Sequence, residues 1–131
     1  MIFTVLRVQG SDFAVDTFLN GRRLDVSAVW HKGQPSRRGS NHDDSGFNVS
    51  LPDAESWVAA LTSVREFLES ERELFDDLRS FGVRAILDIG VTVGKDRSYA
   101  PSIEIPNDVL SNLVALGVGL NVSAYPTSDE T

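Results

Sequence analysis

One eight-residue pattern occurs twice in this chain, and it constrains the fold more than any other feature. Gly21-Arg22-Arg23-Leu24-Asp25-Val26-Ser27-Ala28 returns as Gly117-Val118-Gly119-Leu120-Asn121-Val122-Ser123-Ala124. Each copy follows a short amphipathic stretch, so each reads as a helix, a stopping glycine and a strand. Two such units bracket the molecule, which organises an architecture without assigning a chemistry.

Hydrophobic periodicity sets the remaining elements. Ile2 to Val8 alternates as a strand with one face in a core. Ser11 and Asp12 are placed to cap a short helix carrying Phe13, Val15, Phe18 and Leu19, with Gly21 as its stop. Asp25 to His31 reads as the next strand, with Val26, Ala28 and Trp30 on one side, and Phe47, Val49 and Leu51 alternate as a third. Between them, Gly33 to Gly46 is made of turn formers and charges, which predicts a long exposed loop. Trp57, Leu61, Val64, Leu68, Phe75, Leu78 and Phe81 form a helical stripe over Asp53 to Phe81. An unbroken helix there would be about 40 Å long at 1.5 Å per residue, so a break near Ser70 is expected. Val83 to Val93 reads as a strand closing at Gly94-Lys95-Asp96-Arg97, and Ser102 to Ile105 as a short strand. Pro106 and Asn107 open a helix carrying Val109, Leu110, Leu113, Val114 and Leu116, before a last strand from Leu120 to Tyr125. The polar tail after Pro126 is expected to fray.

The first six of these elements match the split β-α-β pattern of ferredoxin-like folds. The expectation is an α+β fold: a two-layer sandwich with a mostly antiparallel sheet and the helices on one face. Its ferredoxin-like core is extended by an added strand-helix-strand unit. A length of 131 residues with 41% hydrophobic content suits a single domain over residues 1–131.

The chain has no cysteine, which excludes disulfide frameworks, thiolate metal sites and thiol nucleophiles. Met1 to Arg7 shows no basic leader, and its apolar run is too short for a signal peptide or a membrane span. A cytoplasmic protein with no membrane partner is expected. The formal net charge of −7 repels phosphate backbones, so nucleic acid is not an expected partner. The charges are segregated. Arg22, Arg23, Lys32, Arg37 and Arg38 cluster against Asp25 alone, whereas Asp53 to Arg79 holds eight carboxylates against three arginines.

Few constellations carry chemistry. His42-Asp43-Asp44 has ligand-type side chains, but neighbours on a loop rarely converge on one ion, so no metal site is assigned. Gly90-Val91-Thr92-Val93-Gly94-Lys95 departs from a phosphate loop, having three residues between its glycines and Asp96 after the lysine. No dinucleotide fingerprint follows a strand, and Asp76 and Asp77 lie on different helix faces. No cofactor and no catalytic residue is assigned. An enzyme would have to use His31 with Asp43 or Asp44, and no substrate is indicated. The segment richest in recognition chemistry is Trp30-His31-Lys32-Gly33-Gln34-Pro35 with Arg37 and Arg38, where an aromatic and several cations can hold a carboxylate, a phosphate or an acidic surface. A plain structural use explains it equally: Trp30 plugs the end of the core and the cations solvate the loop.

Leu6-Arg7-Val8, the Trp30 to Pro35 stretch, Gly46-Phe47-Asn48-Val49-Ser50, the long helix, Ile89-Gly90-Val91 and Ile103 through Pro126 together resemble a bacterial family of uncharacterised domains, domain of unknown function 4279. The most specific part is Trp-x-Lys-Gly-x-Pro at Trp30, Lys32, Gly33 and Pro35. The resemblance implies a small stand-alone domain and brings no activity, cofactor or catalytic residue. By analogy of class, such acidic domains include immunity proteins that neutralise a toxin. The leading expectation is therefore a non-catalytic interaction protein of the immunity type, touching a protein partner through Glu66, Glu69, Glu73 and Asp77 or through Trp30 to Arg38. The alternative is a module that binds a small anionic ligand with Trp30, Lys32, Arg37 and Arg38, His31 having a structural or binding use beside them. Edge strands in such a sheet invite pairing, so a monomer or a homodimer is expected.

Overall fold

Strand β1 (Ile2–Gly10) sends Ile2, Thr4, Leu6 and Val8 to one side, and all four are buried. Phe3, Val5, Arg7 and Gln9 face the other way. With a side-chain period of two, this alternation commits the strand to a sheet covered on a single face. The computed structural model describes residues 1–93 and 102–126; the predicted turn at Gly94 to Arg97 and the tail beyond Pro126 lie outside them. After β1 come α1 (Val15–Leu19), β2 (Ala28–Trp30), β3 (Ser45–Ser50), α2 (Trp57–Ser70), α3 (Arg72–Ser80), β4 (Arg84–Val93), α4 (Asn107–Leu116) and β5 (Val118–Pro126).

The five strands form one sheet in the order β2-β3-β1-β4-β5. All neighbours are antiparallel except β4 and β5. The first four strands with α1, α2 and α3 have the expected ferredoxin-like arrangement, and α4 with β5 is the added unit. Phe18 of α1, Val64 and Leu68 of α2, Phe75 of α3 and Val109 and Leu113 of α4 meet Leu6, Phe47, Leu87 and Ile89 in one core. The helices therefore share one face of the sheet, and the opposite face is open. The expected break is present: α2 ends at Ser70, and Glu71, at φ −110° and ψ 28°, separates it from α3. Ser56 caps α2 by accepting the Ala59 N–H.

Three expectations are corrected. Ser11 and Asp12 do not cap α1, which starts at Val15 after Ala14 with no side-chain cap; they sit in a turn closed by the Phe13 N–H on the Gly10 carbonyl. The second strand is only three residues long. Its register, Ala28 on Asn48, would place Leu24 opposite Pro52, which has no N–H to give, and the Leu51 N–H is already donated to the Thr4 carbonyl of β1. Ser102 to Ile105 is not a strand. Ile103 and Ile105 pack on the core, and the Glu104 carbonyl accepts the Trp57 indole N–H at 2.7 Å.

The repeated segments end as the two opposite edges of the sheet. Gly21 and Gly117 both adopt left-handed backbone, at φ +77° and +73°, after a helix. From there the copies diverge, since one feeds a three-residue antiparallel edge and the other a nine-residue parallel one.

Candidate functional site

β2 places Trp30 on the open face of the sheet rather than at the end of the core. It pairs with Gly46, and its ring lies so close that a Cβ built on that glycine would sit 2.6 Å from the indole Cζ2. The indole N–H donates to Asp44 Oδ1 at 2.9 Å, and the His42 ring lies 6.2 Å away at 30°. His31 follows with Nε2 2.9 Å from Asp16 Oδ2 beside α1. The Lys32 N–H donates to the buried Ser45 hydroxyl at 2.9 Å. Beyond it the predicted loop folds back as a narrow hairpin, with Gly33 and His42, His42 and Gln34, and Ser36 and Ser40 joined through their backbones. His42, Asp43 and Asp44 do not converge, and no cluster able to hold a metal is found among the described residues. Lys32, Arg37 and Arg38 are exposed, and their cationic groups have no hydrogen-bond or ion-pair partner among the described residues.

The acidic helix presents a different surface. Arg23, Leu24 and Asp25 approach α2 to form an open groove of about 550 Å³. Leu24, Val49, Leu51, Pro52 and Phe67 give it an apolar floor, and Asp25, Glu66 and Glu71 stand on its rim against Arg23 alone. The groove continues past Ser70 to Glu73 and Leu74. Arg22, at that end, is already engaged: it pairs with Asp77 at 2.6 Å, donates Nε to the Phe18 carbonyl at 2.7 Å and lies 4.1 Å over the Phe18 ring. Glu69 sits outside the groove, paired with Arg72 at 3.3 Å.

The fold thus brings Glu66 and Glu73 onto one groove, leaves Glu69 and Asp77 in ion pairs, and gathers Trp30, His31, Lys32, Arg37 and Arg38 at a separate edge. Leu24, Asp25, Phe67 and Glu71 belong to the groove and are not found by reading the sequence. Phe67 carried the signal, because an aromatic beside a glutamate and next to the buried stripe of Leu61, Val64 and Leu68 marks a partly exposed margin of the core. At the far side of α2, Arg65 Nε donates to Asp108 Oδ2 of α4 at 2.8 Å. That hydrogen bond holds the Asp108 carboxyl below its ordinary range and raises Arg65. No helix among the described residues is long and apolar enough to cross a membrane. No protein-family model, curated protein or solved structure matches the chain.

Proposed function

We propose that the chain is a non-catalytic protein-binding domain whose groove along α2 takes a basic, partly apolar segment of another protein. The carrying observation is the groove itself, an apolar floor under the carboxylates of Asp25, Glu66 and Glu71. Apolar floors supply affinity once desolvated, and a rim of one charge sign steers the opposite sign towards it. The formal net charge of −7 extends that steering beyond the groove. An immunity-type inhibitor of a basic toxin is the specific form of this reading, by analogy with small acidic single-domain proteins as a class.

The test begins with photo-crosslinking from Ser63, on the groove wall, in the native host, followed by affinity measurements on the captured protein. Glu66→Lys and Glu73→Lys are expected to weaken binding about tenfold or more each, and added salt to weaken the wild type. A captured protein indifferent to both reversals would sink the reading. One observation favours a second reading, an anion site on the hairpin: Lys32, Arg37 and Arg38 lack partners among the described residues. Trp30 and His31 are already bonded within the chain, so the ligand would be held by exposed cations alone, where Coulomb attraction is weak. Binding abolished by a joint Arg37→Ala, Arg38→Ala change and untouched by Glu66→Lys would move the site to the hairpin.

A further inference from the structure

β5 is a nine-residue edge strand, and no described residue pairs with its outer side. Sheets blunt long edges with charges, prolines or bulges. β5 has no charged residue, and its one proline is the last position, Pro126. The side chains above the edge are apolar and uncovered: Leu120 is 37% and Val122 43% exposed on the helix side of β5, and Leu110 39% and Val114 80% exposed on α4. Asp108, about 200° of helical rotation before Leu110, is turned to Arg65 of α2. Leu110 and Val114 therefore lie on the flank of α4 that looks away from α2.

We infer that this strip takes a second copy of the chain, β5 pairing antiparallel with β5 about a two-fold axis through Val122. The strand is self-complementary in that register. On the helix side Val122 faces Val122 and Leu120 faces Ala124; on the open side Asn121 faces Ser123, and Gly119, the smallest residue, faces Tyr125. Facing residues share a sheet side, so both helical layers lie on one side and the α4 flanks meet over the joint. The ladder extends over about 30 Å of backbone. Charge makes a second copy the fitting occupant. A chain of net charge −7 repels itself over most of its surface, and here two copies approach with no like charges opposed among the described residues, because Asp108 is held by Arg65.

Light scattering and sedimentation from about 1 μM to about 1 mM are expected to show the mass rising from 14.3 kDa to twice that value. Val122→Lys sets two ammonium groups face to face and is expected to weaken association about a hundredfold or more. Val29→Lys, at an equally exposed position on the other edge strand, leaves association unchanged. Circular dichroism establishes that each variant is folded. Because the chain has no cysteine, Val122→Cys carries a single thiol, which mild oxidation converts to an interchain disulfide across the axis; Val58→Cys on α2 stays reduced. A chain that remains at 14.3 kDa throughout, a folded Val122→Lys that still dimerises, or a Val122→Cys that fails to cross-link overturns the inference.

Discussion

Gly46 is the residue on which the Trp30 edge turns. A Cβ there would lie 2.2 Å from the Val8 carbonyl oxygen and 2.6 Å from the Trp30 ring, and the carbonyl belongs to backbone that the β1 pairing holds in place. Gly46→Ala must therefore push β3 off β1 and lift the indole as well. It is expected to destabilise the fold by about 2–4 kcal/mol, as overpacking at a buried position does, with a changed near-UV spectrum from Trp30. Trp30→Phe removes only the bond to Asp44 and some area, so it is expected to lose about 1 kcal/mol. Urea titration of both variants checks the order, and a Gly46→Ala as stable as the wild type would show that neither the β1 backbone nor the Trp30 ring approaches Gly46 this closely. The aromatic at the end of a strand was legible in the sequence. Which face it occupies was not, because that depends on Gly46 standing opposite, a matter of register between distant segments.

The long elements were readable because each carries many apolar positions in phase. The stripe from Trp57 to Phe81 and its break at Ser70 follow from spacing and from the length a small core can cover. Short elements failed where backbone partners decide. Ile103 and Ile105 alternate like a strand, yet the Glu104 carbonyl is taken by Trp57. Between elements, the tie of α2 to α4 through Arg65 and Asp108 has a testable pH signature. Hydrogen bonding to Arg65 depresses the folded-state Asp108 value below the ordinary 3.8. Its contribution is therefore complete above about that pH and is lost as the pH falls through the folded value. Asp108→Asn is expected to lower the melting temperature slightly at neutral pH, with the deficit closing in acid. Both side chains are exposed, so the effect is small. A deficit that persists unchanged at low pH would mean that the carboxylate charge is not what joins the two helices.

Across the whole molecule, apolar alternation specified the two layers, but the groove could not be read because Arg23 to Asp25, Val49 to Pro52 and α2 meet only after folding. The same assembly concentrates charge. Four arginine–carboxylate pairs link described residues, three of them with both side chains more than a quarter exposed, and each such pair contributes about 0–1 kcal/mol. Against them stand Glu66, Glu71, Glu73 and Asp76, none with an ion-pair partner among the described residues, and a formal net charge of −7. Salt weakens the attractions and the repulsions together, so the sign of its effect reports which is larger. The unpaired carboxylates lie within a few helical turns of one another on α2, α3 and the joint between them, inside the Debye length of about 20 Å at roughly 20 mM salt and outside that of about 4 Å at roughly 500 mM. With a formal net charge of −7, repulsion is expected to be the larger sum, so the melting temperature is expected to rise by a few degrees over that range. Partner binding at the acid-rimmed groove is expected to weaken over the same titration. A fall in melting temperature would show that the ion pairs outweigh the clustered carboxylates, and the electrostatic support for the proposed basic partner would fall with it.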